Sequence, residues 1–486
     1  MKDRLTKTGY LRYLKCPPEY WMWAKEPLLE TQPLTLEAEH LRQQGYEVQR
    51  LARRLAIFQS TAEMAVDFER TFQTEEFLAR ADIVVTDQTT GSIDFYEVKS
   101  TSAIKEEHYD DLAFQKLTAL KAGATVVRSF VLTMNADYVR RGEIDPEKLF
   151  VIHDVTENVD ARLEITEQYA HLAIRCLDEV PVPSLLDYCK ENKLDCEFLK
   201  QHFPDLPDYT IFDISYLKTD KRRDLLSQGI VAVIDVPDDF PLSDKQRIQV
   251  EAAKSGVITI DVNEIEKRMS QWQYPLHFLD YETFAYAIPQ FDGIKPYQQM
   301  CFQYSLHTID ALKAATRHSW YLSRGDDLTP PRLLVEALRE SMSGGIGTVL
   351  VWYEAFEKGR NSEMAEMFPE HAEFLNEINA KTFDLMKIFS DRLYIHPEFK
   401  GRNSIKKVLP VLVPELSYDN LGVGEGMTAT IKWFRAVKWD SLDDAEREQI
   451  FTDLDAYCFQ DTLAMVRIVE RLRALESASQ QAASSY

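Results

Sequence analysis

The spacing of apolar residues changes character along the chain, and each change predicts an element. Leu36 to Phe58 repeats its apolar positions at helical intervals, which predicts an amphipathic helix. A strand-like run from Phe77 to Val85 leads into turn-forming residues at Asp87 to Ser92. A second run starts at Ile93, and together they predict a hairpin. A helix through Asp111 to Leu120 and a strand through Val126 to Leu132 should follow. Pro204, Pro207, Pro237 and Pro241 then break the chain into short pieces. Among them the pattern predicts strands at Val231 to Ile234 and Val257 to Ile260, and helices at Leu242 to Lys254 and Val262 to Trp272. Farther on, apolar runs predict strands at Leu276 to Leu279, Cys301 to His307, His318 to Leu322 and Thr348 to Tyr353. A helix from Pro330 to Ser343 should end at Gly344 and Gly345. Thr382 to Met386 reads as apolar helix carrying Asp384, and a long C-terminal helix should hold Tyr457 to Asp461. Ser477 to Tyr486 reads as a frayed polar tail.

This order predicts an α/β multidomain protein. Its parts would be a first domain over residues 1–204, a connector over 205–274, a second domain over 275–476 and a disordered tail over 477–486. A hydrophobic content of 45% supplies enough apolar surface for such cores. The 79 acidic residues outnumber the 56 basic ones and leave a formal charge of −23, unlike a nonspecific nucleic-acid coat protein. That balance is compatible with a nuclease whose acids hold metal and whose basic groups are local. No apolar run approaches the length of a membrane span, which takes about 18–20 residues, and no secretory signal is visible behind Met1. Six cysteines in a chain of this length do not describe a secreted disulfide scaffold, so a reducing cytoplasm is the expected location.

Candidate chemistry gathers in two stretches. If Leu276 to Leu279 continues as a strand, Asp280 and Glu282 share one face and can hold a hard cation through carboxylate oxygens. Tyr457 and Asp461 lie four apart, on one face of their helix. Nearer the N-terminus, the hairpin would present Asp82, Glu97 and Lys99. Its two carboxylates can ligate Mg²⁺ or Mn²⁺, and Lys99 can polarise water or steady charge on a phosphorane. A salt-bridged hairpin is the plainer alternative, as a surface acid or a satisfied tyrosine is for the others. Arg50 and Arg53 lie along the first helix, either as a solvated face or as phosphate contacts. Lys400, Arg402, Lys406 and Lys407 form a positive stripe with no acid between them, and Ser404 could cap the helix that follows.

Asp280-x-Glu282 and Tyr457-x-x-x-Asp461 together resemble the first and last motifs of the DEDDy-type 3′–5′ exonucleases, which have a ribonuclease-H-like fold. That resemblance implies a further carboxylate after a Phe. Glu357 fits it, with Asp384 in reserve, although Tyr353 stands where the family has Asn. Tyr457 would then orient the attacking water. Asp82 with the Glu97-Val-Lys99-Ser-Thr stretch resembles the PD-(D/E)xK nuclease core in its RecB-like branch, a restriction-endonuclease-like α/β fold. Gln115 matches the helical glutamine of that branch, and Gln49 occupies the place of its upstream metal-binding His. The resemblance also implies a metal-cluster staple. Cys16, Cys189 and Cys196 stand where such nucleases place iron–sulfur ligands, and His202 stands at the fourth position, so a [4Fe-4S] cluster or zinc is expected. Cys176, Cys301 and Cys458 read as residues that fill apolar space.

Nearly the whole chain resembles an uncharacterised bacterial family that joins a RecB-like region to a C-terminal module. The module's signature appears here as Phe278 to Thr283, Pro296-Tyr297-Gln298 and Phe302 to Ser305. The resemblance implies nucleic-acid processing, and with the two acidic sites the expectation is a metal-dependent nuclease with two nuclease-like sites, an exonuclease acting on DNA that is single-stranded or has free ends. Its setting would be repair or defence against mobile DNA, alone or with other proteins of such a complex. Two alternatives stay open: a decayed nucleic-acid-binding or assembly module, and an RNA exonuclease.

Overall fold

The computed structural model describes residues 4–25, 35–179, 203–325, 330–418, 422–423, 426–438 and 442–484. Contacts divide the chain into two mixed α/β units. The first takes the described residues up to 179 together with 203–204 and 285–298, and the second takes 205–284 and those from 299 onward. Residues 205–274, expected as a separate connector, therefore fall within the second unit.

The first unit is built on six strands: β1 (Leu5–Thr6), β2 (Met64–Gln73), β3 (Phe77–Asp87), β4 (Ile93–Val98), β5 (Val126–Met134) and β6 (Phe150–Asp154). Their order is β1-β3-β4-β5-β6, with β2 also paired to β3. The β3–β4 hairpin closes through Asp87, whose carboxylate accepts from the amides of Thr89 and Thr90 at 2.8 and 3.1 Å. Gly91 takes φ +75°, which a side chain would resist. Strands β4 and β5 run parallel, so a helix must carry the chain back between them. That helix is Glu106–Lys121, and Leu112 and Ala113 on it pack with Val84 and Phe95 of the sheet. Lys7–Lys15 (α1), Leu36–Ala52 (α2), Glu106–Lys121 (α3) and Leu163–Cys176 (α4) complete the frame. Helix α2 stops short of the expected Phe58. Leu55 and Phe58 are drawn into the core instead, and Phe58 meets Tyr96 edge-on at 5.0 Å.

In the second unit the sheet runs β10-β9-β8-β11-β12, from β8 (Leu276–Phe284), β9 (Met300–Ile309), β10 (Thr316–Leu322), β11 (Val349–Val351) and β12 (Thr382–Asp384). A small pair joins β7 (Thr259–Ile260) to β13 (Tyr394–Ile395). Strand β8 is central and buried on both faces. Leu276 and Phe278 enter one apolar cluster with Ala464, Met465 and Ile468, while Leu279 and Tyr281 enter another with Leu334 and Leu338. Strand parity therefore sends Asp280 and Glu282 to the side of the long helix that carries Ala464. The helices that matter next are Pro330–Ser341 (α5), Glu354–Met367 (α6), Ile405–Leu412 (α7), Gly426–Lys438 (α8) and Asp444–Ser484 (α9).

Several expectations change on contact with the fold. Asp384 ends strand β12 and does not lie on a helix, because Thr382 to Asp384 finds β11 as a parallel partner. Val231 to Ile234 forms only a bridge from Ala232 to Thr210 and a 3-10 turn at Val233–Asp235, which carries Val233 and Val236 into a small core with Ile211 and Leu225. The C-terminal helix continues to Ser484 where a frayed tail was expected. Among the described residues no helix is long and apolar enough to cross a membrane.

Gly347 explains its own identity. A Cβ there would run into the backbone carbonyls of Gln273 and Pro275, which cannot move as a flexible side chain could. Gly347→Ala should cost on the order of 2–4 kcal/mol. The expected result is a lower midpoint in thermal denaturation, with early loss of amide protection in β8 and β11.

Candidate metal centre and a buried ion-pair cluster

The second unit opens a cleft of about 250 Å³ lined by Asp280, Glu282, Trp352, Phe356, Lys406, Tyr457 and Asp461, among others. Strand β8 delivers the first two acids and α9 delivers Tyr457 and Asp461, four residues apart on one face as the sequence implied. Burial and then the charge of Asp461 push the Asp280 carboxyl well above its ordinary value. Burial and then Asp280 do the same for Glu282. Burial raises Asp461 to about 6. Tyr418 donates its phenol to Asp461 Oδ1 at 2.6 Å, and Tyr457 hydrogen-bonds the same carboxylate. Tyr418 had no sequence signal, since it lies beyond α7 in a segment without a motif.

Glu357 sits on the first turn of α6, 2% exposed, and its Oε2 has no hydrogen-bond partner. Burial and then Asp280 raise its carboxyl well above the usual range. An orphaned buried carboxylate oxygen costs stability unless something cationic meets it. Asp384, the reserve candidate, spends its Oδ1 on the amides of Tyr353 and Met386, both at 3.0 Å. Tyr353 itself takes φ +85°, a conformation that Asn adopts more readily than Tyr.

Cys458 is fully buried, as a residue that fills apolar space would be, but it also lies among the acids. Its Sγ lies 3.9 Å from Asp280 Oδ2, and the ligand atoms of Asp280, Glu282 and Cys458 all fall within 4.8 Å of one another. Cys301 does fill apolar space beside Leu279 and Tyr304. Cys176 is half-buried at the end of α4, in the apolar surroundings of Tyr10 and Tyr20.

The donor set suits a hard or borderline divalent cation. Burial and neighbouring carboxylates raise the proton affinity of Asp280, Glu282 and Glu357, burial raises that of Asp461, one Glu357 oxygen is orphaned, and the only basic side chain among the described lining residues is Lys406. Its ammonium stands 5.5 Å from the Tyr457 ring and 5.7 Å from the Tyr418 ring. The rest of the expected positive stripe goes elsewhere. Lys400 donates to Asp208 O at 3.0 Å, Arg402 pairs with Asp213 at 2.7 Å, and Lys407 is exposed. Ser404 occupies the cap position of α7 but makes no side-chain cap bond.

In the first unit, Asp82, Glu97, Lys99 and Gln115 also meet, but in a different electrostatic state. Glu97 Oε1 accepts from Lys99 at 2.8 Å and from Lys7 at 2.9 Å, and its Oε2 accepts from Gln115 at 2.8 Å. Asp111, one helical turn before Gln115, takes the same two ammoniums and the same amide. Burial disfavours the charged form of Glu97, but Lys7 and Lys99 overcome it and hold the carboxyl well below its usual range. Burial likewise opposes the two ammoniums, and Glu97 and Asp111 keep both above the ordinary lysine value. Asp82 accepts from Val98 N at 3.0 Å and Gln49 Nε2 at 3.1 Å, and burial with the Glu97 charge pushes it up to about 7. Both Glu97 oxygens are engaged by internal donors, so this cluster fits a cation less well than the cleft does. Lys7 was missed because it opens α1, far in sequence from the hairpin. Arg53, at the C-terminal cap of α2, pairs with Glu69 at 2.6 Å, and Arg50 on the helix is exposed. Cys189, Cys196 and His202 lie outside the described residues, and Cys16 caps the end of α1.

Comparison with known proteins gives a partial match. Residues 277–404 match a family described as "Domain of unknown function (DUF2779)", which covers β8 to the approach to α7 and so includes Asp280, Glu282 and Glu357 but neither Lys406 nor Asp461. An uncharacterised protein of Ureaplasma parvum serovar 3, UU173, is 29% identical over 212 residues, 39% of this chain. The matched stretch spans 30% of that relative's length.

Proposed function

We propose that the second unit is a metal-dependent phosphodiesterase, acting as an exonuclease on nucleic acid with free ends. One observation carries the reading most: Asp280, Glu282 and Asp461 line one open cleft, and these three and the buried Glu357 are each held above the ordinary proton affinity of a carboxylate. Divalent cations, Mg²⁺ or Mn²⁺ in the first instance, would supply charge neutralisation and an acidified water there. The chain's own residues do the rest. The carboxylates fix the cation positions, and Tyr418 and Tyr457 orient Asp461. Lys406 presents an ammonium to a phosphate oxygen, and Trp352 and Phe356 offer flat apolar surface to a sugar or base. Hydrolysis adds water across one P–O ester bond, leaving a phosphate on one fragment and a hydroxyl on the other.

DNA is the first substrate class, in repair or defence against mobile elements, and RNA is its rival. The test is release of nucleotides from matched end-labelled DNA and RNA strands with Mg²⁺ or Mn²⁺. Asp280→Ala should abolish release, and activity unchanged in a combined Lys99→Ala and Asp280→Ala protein would reject both acidic sites. Lys406→Ala should raise KM about tenfold with a smaller change in kcat, since it removes one charge contact to phosphate.

For the first unit, the saturated state of Glu97 favours a second reading, a nucleic-acid-binding or assembly module whose nuclease-like cluster serves the fold. DNA retention by a Lys99→Ala, Asp280→Ala protein that no longer cleaves would support it. The iron–sulfur or zinc staple remains a proposal, tested by iron and zinc analysis of protein prepared without oxygen.

A further inference from the structure

Resting on the reading that the cleft holds divalent cations, we propose that Cys458 is one of their ligands, so that the position beside Asp280 prefers thiophilic ions such as Zn²⁺, Co²⁺ or Cd²⁺ to Mg²⁺. The geometry permits one ion to touch both groups. Zinc lies about 2.3 Å from sulfur and about 2.1 Å from a carboxylate oxygen, and the 3.9 Å between Cys458 Sγ and Asp280 Oδ2 is shorter than the sum of those distances. Glu282 offers a third donor inside the same 4.8 Å group. The surroundings also separate this thiol from one that only fills space. Cys458 is fully buried, yet the charges acting on it most strongly are those of Asp280, Glu282 and Asp461. The orphaned Oε2 of Glu357, itself close enough for Asp280 to be its strongest charged neighbour, adds an oxygen without a partner.

On binding, the Cys458 S–H bond breaks and its proton leaves to solvent as the sulfur–metal bond forms; no oxidation state changes. A thiolate in an otherwise oxygen-donor set shifts preference away from Mg²⁺, which takes oxygen ligands and keeps its waters, toward borderline and soft divalent ions. The sequence position explains how the ligand arises. Cys458 lies three residues before Asp461, so one helical face supplies a sulfur and an oxygen to the same place.

The test titrates Co²⁺ into full-length metal-free protein and into Cys458→Ser, read by absorption. The native protein should develop a near-ultraviolet thiolate-to-cobalt charge-transfer band that the variant lacks. Affinity for Co²⁺ and Cd²⁺ should fall about tenfold or more in the variant, while Mg²⁺ affinity changes less than about twofold. Cys458→Ala, which puts no hydroxyl in the buried site, should give the same losses. Co²⁺ binding with no thiolate band, or an equal band in both proteins, would overturn the assignment of Cys458 and leave the carboxylate site standing. No uptake of Co²⁺ or Mn²⁺ by the native protein would overturn the cleft reading and this inference together.

Discussion

Asp280→Asn should do two opposite things to the protein: cleavage of end-labelled DNA falls by about a thousandfold or more, and the metal-free fold becomes more stable. The first effect follows from losing a charged ligand at the place where the acids converge. The second follows from the cost of keeping them together. Asp280 is pushed up by burial and then by Asp461, and Glu282 by burial and then by Asp280, so removing one charge relieves its neighbours. The expected gain is on the order of 1–2 kcal/mol, visible as a melting point a few degrees higher in chelator. The same electrostatics sets a pH dependence. A carboxyl whose folded pKa exceeds its unfolded value binds its proton more tightly when folded. The stability this contributes is therefore full below the unfolded value, about 4, and is lost as pH rises through the folded one, about 6 for Asp461. Metal-free second unit should melt higher at pH 5 than at pH 7.5, and saturating Mn²⁺ should remove the difference.

Glu97→Gln should act in the reverse sense on the first unit, destabilising it by about 3 kcal/mol. Glu97 is 2% exposed and joins Lys7 and Lys99, whose side chains are only 26% and 20% exposed, so breaking the network strands buried charge. An amide in its place cannot neutralise two ammoniums, and Asp111 would be left to balance both. The readout is amide hydrogen exchange in Glu106–Lys121 and β4, which should speed up by about two orders of magnitude, matching that energy. Local exchange is the sharper readout here because it reports the first unit separately from the second. Opposite responses of two acidic clusters to the same kind of substitution would distinguish a site strained for a ligand from one satisfied within the fold.

Legibility in the sequence followed the range of the physical signal. Local patterns found these elements: strand-like runs bounded by turn residues for β3 and β4, continuous apolar runs for β8, β9 and β10, and helical spacing for α9, because each signal lies within a few neighbouring residues. Strand parity placed Asp280 beside Glu282, and the helical period placed Tyr457 above Asp461. Asp384 was misread because three residues between Lys381 and Leu385 carry no period, and only a parallel partner made them a strand. Lys7, Asp111, Tyr418 and Cys458 acquired their contacts through tertiary approach. Cys458 in particular looks like any small apolar residue until β8 lies against α9. The positive stripe failed differently: Lys400 and Arg402 found partners at Asp208 and Asp213, some 190 positions earlier, which no local pattern encodes.

The most direct measurement is Mn²⁺ uptake by the metal-free full-length protein, followed by electron paramagnetic resonance, beside a variant carrying both Asp280→Asn and Asp461→Asn. Native protein should take up Mn²⁺, and the double variant should bind at least about tenfold more weakly. Equal uptake by the two proteins would contradict the account.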